Sequence, residues 1–214
     1  MKQLLILGAG GMGKEVYYIA CHSIGYGTEF EVKGFLDFPN PDWNTDIYPP
    51  ILGPEDGYEI KHDDVFTCSI GDVRLKRKVC EKMKSRGAIF QTLIFNNVEL
   101  RENVTIGSGC IIDSGAIIGS DSVIGENCLI QVSSVIAHDC VVGNYSRIDS
   151  RAFLVGGVVV GNGVTVHTNA VISHRVVLED NSIVSALSFV VRTVKAGTTV
   201  MGNPAKLLPL PAHF

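Results

Sequence analysis

Ile124-Gly125-Glu126-Asn127-Cys128-Leu129-Ile130-Gln131-Val132-Ser133-Ser134-Val135-Ile136 is the stretch that decides the fold. Isoleucine returns at every sixth position, and a small residue, Cys128 or Ser134, stands two places before it. Followed outward, the aliphatic series runs from Leu100 to Val190 over sixteen positions with no insertion or loss. The companion series, from Val104 through Cys110 and Ala116 to Val194, is small or short at all sixteen. A period of six fits neither a 3.6-residue helix nor one long strand. It fits short strands joined by tight corners and stacked coil on coil as a parallel β-helix.

Side chains alternate along a strand, so the aliphatic residue and the small one point inward and the residue between them points out. The outward residues fall into three rows, one per face. The first is Thr105, Val123, Val141, Val159, Val177, Lys195; the second is Ile111, Leu129, Arg147, Thr165, Ile183; the third is Ile117, Val135, Phe153, Val171, Phe189. β-Branched residues suit strands in any case. Two adjoining apolar faces nevertheless point to burial against a partner, and a three-sided prism suits a closed cyclic trimer. The corner where the first and third faces meet carries Ala137-His138-Asp139 and, one coil on, Gly156-Gly157. A histidine beside an acid and a notch of glycines is a candidate proton acceptor near neutral pH. The competing reading is a solvated corner histidine. His174 lies two coils further along that corner and His167 on another corner, whereas His22, His62 and His213 read as surface residues.

Before the hexads the pattern changes. Residues 2–7 read as a buried strand, a helix is expected from the glycines to Ile24, and further strands at 31–36, 64–70 and 88–94 alternate with a charged helix from Gly71-Asp72 to about Arg86. Five of the eight prolines fall in the loop 38–54. The expected organisation is a Rossmann-like α/β half domain over 1–96 and a β-helix with a short tail over 97–214. Gly8, Gly10 and Gly13 satisfy G-x-G-x-x-G between a strand and a helix, with Asp37 closing the next strand. Such a turn lets a phosphate approach the helix N-terminus. It also serves as a plain tight turn with no ligand. A full dinucleotide-binding domain has six strands, so nicotinamide chemistry is a distant reading, and the diphosphate of a nucleotide-linked substrate is preferred.

Composition narrows the classes. A net charge of −4 and the lack of a basic tract argue against nucleic acid. The apolar start is too short for a signal peptide, and no stretch approaches membrane-spanning length. The six cysteines contain no CxxC, and Cys110, Cys128 and Cys140 sit at inward hexad positions. A reduced cytoplasm is expected, and no metal site is read.

With these motifs in place, and with Gly202-Asn203-Pro204-Ala205-Lys206 near the end, nearly the whole chain resembles the hexapeptide-repeat sugar O- and N-acyltransferases of the sialic acid O-acetyltransferase and UDP-4-amino-sugar N-acetyltransferase type. The resemblance implies a left-handed coil, a homotrimer, acetyl-CoA bound along the groove between β-helices and a nucleotide sugar on the N-terminal domain, in bacterial surface-glycan synthesis. By position it implies His138 as general base with Asp139 assisting, acceptor contacts at Gly10, Gly11, Met12, Asp37 and Gly71, and acetyl-CoA contacts at Arg147, Gly156, Thr168 and Ala186. The chain departs from the family pattern at three of its positions. Met12 replaces a usual histidine, Arg147 replaces a histidine that would reach the acetyl carbonyl, and Gln131 stands where asparagine is common. Two alternatives stay open: O-acetylation of sialic acid or another free sugar, and a non-catalytic trimer that binds sugar nucleotides.

Overall fold

The computed structural model describes residues 1–209; His213 lies outside the described residues. The chain divides into two compact units, residues 1–96 and 97–214.

In the first unit, β1 (Lys2–Leu7), β2 (Phe30–Leu36) and β3 (Asp64–Cys68) form a parallel sheet in the order β2-β1-β3. Helix α1 (Gly11–Cys21) follows β1, and α2 (Val73–Ser85) follows β3. Leu4, Leu5, Ile6 and Phe66 are fully buried, as strands covered on both faces require. Asp72 caps α2 by accepting the Leu75 N–H at 2.7 Å. Helix α1 stops three residues short of Ile24, because the N–H groups of His22 and Ser23 turn back to the carbonyls of Ile19 and Ala20. Of the strand expected at 88–94, only Leu93–Ile94 forms a strand, and it is not part of this three-stranded sheet. Phe90 makes a single bridge to Phe66, with Phe66 N–H bonded to Ile89 and Gln91 N–H to Phe66, and no ladder extends from it. His22 stacks on Phe95 at 5.5 Å, and His62 is an exposed neighbour of Asp63.

The second unit is a parallel β-solenoid of two-residue strands. Residues eighteen apart pair in register, as in Leu129 with Arg147 and Val135 with Phe153, so three hexads make one coil. The inward aliphatic residues from Ile112 to Val190 are at most 2% exposed, while Leu100, on the opening coil, is 40% exposed. The small inward positions do more than save space. Ser122, Ser134 and Ser146 hydroxyls donate to the carbonyls of Ala137, Asp149 and Gly161, fifteen residues on, and Cys110 and Cys128 thiols do the same to Gly125 and Gly143. Buried corner carbonyls are thereby satisfied. The third residue of each corner adopts a left-handed conformation, at φ 59° for Asp139 and 56° for Arg175. One expectation fails at the top. Val194 bridges Leu178, sixteen residues away rather than eighteen, so the last corner is two residues short. Val194 takes an aliphatic place instead of a small one, and Lys195 leaves the first row to pair with Glu179 at 2.7 Å.

Candidate active site

The first and third faces stay uncovered in the chain: Val123, Val141, Val159, Phe153 and Val171 are each 36–43% exposed. Between them rises the corner of His138. Its Nδ1 lies 2.6 Å from Asp139 Oδ2. An ionised carboxylate only accepts, so Nδ1 carries the proton and Nε2 holds the lone pair. The ring lies over Gly156: a Cβ built there would stand 2.6 Å from both Cε1 and Nε2 of His138. Gly157 N–H donates to the His138 carbonyl at 3.0 Å and ties the two coils together.

The corners differ in how their middle N–H groups are treated. At the corner of residues 125–127 and its stack, side chains cap them: Asn144 Oδ1 accepts the Glu126 N–H, Asn162 Oδ1 that of Asn144, and Asp180 Oδ1 that of Asn162. At the His138 corner no such ladder exists, and no acceptor among the described residues takes the Gly156 N–H. An unpaired N–H beside a histidine with an open Nε2 is an arrangement suited to a developing oxyanion. His174 sits on the same corner with no hydrogen-bond partner among the described residues.

The remaining expected donor-contact residues sit elsewhere. Arg147 is on the second face, and Thr168 and Ala186 lie on the corner that follows it, separated from the His138 corner by the third-face strands such as Phe153–Leu154. The chain alone does not bring them beside Gly156. Gln131 belongs to that second corner, where its Oε1 accepts from Ser150 N and Oγ at 3.2 and 3.3 Å. A group that the sequence reading missed lies here. Asp149, 3% exposed, holds Arg147 on one side and His167 Nδ1, at 2.9 Å, on the other. Burial would raise the Asp149 carboxyl, but the hydrogen bonds from His167 and Arg147 outweigh it and hold the group below the usual carboxylate range.

In the first unit the glycine turn separates into two kinds of position. Gly8 has φ +97°, and a Cβ at Gly13 would overlap the Gly8 carbonyl oxygen, so the turn itself demands both. Gly10 and Gly11 have no left-handed φ and nothing within 4 Å of a built Cβ. Packing does not require glycine there. Asp37 accepts the Ala9 N–H at 2.7 Å and so braces the turn. A 230 Å³ cavity opens beside it, lined by Gly8, Asp37, Glu55 and Ile70 among others. It lies where β1 and β3 lead to opposite sides of the sheet order, the usual ligand crevice of open α/β sheets. Met12 is half-buried on the first turn of α1, and Gly71 lies in the β3–α2 loop.

Among the described residues no helix is long and apolar enough to cross a membrane, and no cluster of three or more His, Cys, Asp or Glu is placed to hold a metal.

A crevice-bearing α/β unit ahead of a hexad solenoid with an exposed corner that sets a histidine over a glycine defines a hexapeptide-repeat sugar acyltransferase. Residues 90–203 match the GMPPB C-terminal domain, and the chain belongs to that family. Residues 3–83 match the PglD N-terminal domain. Among solved structures, the acetyltransferase domain of PglB from Neisseria gonorrhoeae FA1090 is similar at a TM-score of 0.88 and 25% identity, over 97% of this chain and 100% of that one. That domain is also known in complex with acetyl coenzyme A. PerB from Caulobacter crescentus, in complex with CoA and GDP-perosamine, has a TM-score of 0.84 at 25% identity over 98% of each chain. WeeI from Acinetobacter baumannii AYE has a TM-score of 0.86 at 25% identity, over 97% of this chain and 100% of its own. No curated protein sequence matches the chain significantly.

Proposed function

We propose that this protein transfers the acetyl group of acetyl-CoA to the amino group of a nucleotide-linked sugar in glycan synthesis. The observation that carries the proposal is the His138 corner, where an Asp139-held imidazole lies over a glycine whose N–H is unpaired. The solved structures with acetyl-CoA and with GDP-perosamine support the same substrates here. GDP-perosamine N-acetyltransferase from Caulobacter crescentus has also been solved with a single histidine changed to alanine or to asparagine, which is consistent with a histidine of interest in that enzyme.

In the proposed reaction the acceptor amine attacks the thioester carbonyl while His138 Nε2 takes a proton from the nitrogen. Asp139 holds the Nδ1 proton and favours the imidazolium that forms. The Gly156 N–H donates to the oxyanion of the tetrahedral intermediate. Collapse breaks the carbon–sulfur bond, and the CoA thiolate recovers the proton from His138. No acyl-enzyme is required. The nucleotide is held at the glycine turn, with its diphosphate against the open backbone of Gly10, Gly11 and Met12 and further contacts at Asp37 and Gly71.

Acetyl-CoA contacts at Arg147, Gly156, Thr168 and Ala186 fall on two different corners of one solenoid. In this reading a homotrimer that buries the exposed first and third faces brings residues of neighbouring copies together to complete the donor site. The described cysteines are all free, in keeping with a cytoplasmic setting. The test is thiol release from acetyl-CoA, screened across nucleotide-linked amino sugars, free sugars and sialic acid. Turnover on a nucleotide-linked amino sugar is expected. Turnover only on free sialic acid or another free sugar, or binding without turnover, would contradict the proposal.

A further inference from the structure

A cavity of 550 Å³ on the first unit has no part in the reaction just described. It runs along α1, against the loop that follows β2, and shares no lining residue with the crevice beside the glycine turn. Its volume is ordinary for a small-molecule site. Lys14, Tyr17, Tyr18 and Cys21 follow the i, i+3, i+4, i+7 spacing, so one face of α1 presents them all to it. Ile47 and Tyr48 come from the loop. The aromatic rings brace one another: Tyr17 meets Tyr48 edge-on at 5.8 Å, and Tyr48 meets Trp43 at 5.2 Å. The Trp43 indole donates to the Pro49 carbonyl at 2.9 Å, which fixes the loop that carries Tyr48. Tyr18 is 54% exposed, so much of its ring is open to a ligand.

Lys14 supplies a cation held in place. Its Nζ lies 5.2 Å from the Tyr48 ring centroid and 5.6 Å from that of Trp43. Two rings hold the ammonium by cation–π attraction, which uses none of its three N–H donors. No carboxylate among the described residues pairs with it. Glu15 lines the cavity as well, but no ring holds its carboxylate, so Lys14 is the preorganised charge.

We propose that this cavity binds a small aromatic carboxylate, with its ring against the tyrosines and its carboxylate on Lys14. The site is separate from the glycine turn and from the His138 corner.

Trp43 is the chain's single tryptophan, and it contacts both Tyr48 and Lys14, so its fluorescence reports occupancy. The test titrates the full-length protein with benzoate, benzylamine and cyclohexanecarboxylate by fluorescence, with calorimetry as a second reading and thermal melts to confirm folding. Benzoate should give a saturable change with a midpoint of about 1 mM or below, an affinity within reach of a ligand of about nine heavy atoms. Benzylamine, which lacks the anion, and cyclohexanecarboxylate, which lacks the flat ring, should each bind roughly tenfold more weakly or worse. Lys14→Met keeps the length and removes the charge. It should weaken benzoate by roughly tenfold to a hundredfold, the span of a charge-assisted hydrogen bond. Tyr18→Ala should weaken it by roughly fivefold to tenfold. No saturable benzoate signal in the wild type by either method overturns the proposal. Tighter binding of benzylamine also overturns it, since the cavity would then select a cation through Glu15 and the rings. Equal binding of cyclohexanecarboxylate overturns it by showing an apolar cleft without ring selectivity. So do folded Lys14→Met and Tyr18→Ala proteins that bind benzoate like the wild type, because the ligand then sits elsewhere. Should Lys14→Met fail to fold, Lys14→Gln faces the same comparison.

Discussion

Gly156→Ala isolates the placement of the His138 ring from the stability of the fold. The added methyl would stand 2.6 Å from Cε1 and Nε2 and 3.2 Å from Cδ2 of His138. Relaxed carbon contacts lie at about 3.5–4.0 Å, so the ring must retreat by roughly 1 Å. It can do so, because the side chain is 69% exposed and the three atoms nearest the added methyl all belong to that ring. The retreat strains or breaks the 2.6 Å contact with Asp139 and lifts Nε2 from the corner. A misplacement of about 1 Å costs on the order of a hundredfold in rate. The expected result is a loss of that order in kcat for acetyl transfer, measured by thiol release at saturating substrates, with the melting temperature almost unmoved. Gly119→Ala is the contrasting case. Its methyl would stand 2.5 Å from the His138 backbone nitrogen and 2.6 Å from the Ala137 carbonyl carbon, neither of which yields cheaply. That variant should lose stability by about 1–3 kcal/mol. Wild-type kcat in folded Gly156→Ala would refute the reasoning, since the ring would then be shown to work from another position.

Gly13→Ala should destabilise the first unit by about 1–3 kcal/mol in urea melts, because its methyl overlaps the Gly8 carbonyl oxygen. Gly11→Ala places its methyl where nothing lies within 4 Å, so it should leave stability almost unchanged and raise the KM for the nucleotide sugar without raising that for acetyl-CoA; an unchanged acceptor KM would speak against the glycine-turn site. Sedimentation should give about three times the 23.0 kDa chain mass, and Phe153→Glu, a charge on the exposed third face, should yield monomers; a monomeric wild type would contradict the assembly. Asp64 is expected to make the protein acid-sensitive. Burial would raise its carboxyl, but Lys33 at 2.6 Å, the Lys61 N–H and the Tyr58 hydroxyl hold it below the usual range. A depressed carboxyl contributes stability that is present above its unfolded pKa of about 3.9 and lost as pH falls through the lower folded value. Melting temperature should therefore fall below about pH 4, and Asp64→Asn should lower it at neutral pH and flatten the acid fall; an unchanged profile would contradict this.

The solenoid was legible because its rule is local: every sixth residue is aliphatic, and a small residue stands two before it. His138 and Asp139 were legible for the same reason, being adjacent in sequence and placed on a corner by counting. The Asp149 group was not read. Arg147 and Asp149 are neighbours, but His167 reaches the acid only through coil stacking, and the signal was the eighteen-residue spacing from 149 to 167. The shortened last corner was hidden because Val194 suits a small position and an aliphatic one equally. The strand expected at 88–94 has strand-like composition, and only the pairing of Phe90 with Phe66 shows that it makes a single bridge to the first unit's sheet. In the glycine turn, spacing alone could not distinguish Gly8 and Gly13, which the backbone requires, from Gly10 and Gly11, which it does not.

The most direct test of the central claim is the kcat of His138→Ala in acetyl transfer, set beside His174→Ala from the same corner. Removing a general base typically costs about 10²–10⁴-fold in rate. The expected result is a loss of that order in folded His138→Ala, with both KM values little changed, a smaller loss in Asp139→Asn and near-wild-type turnover in His174→Ala. Wild-type kcat in a folded His138→Ala trimer, with or without a loss in His174→Ala, would contradict the assignment.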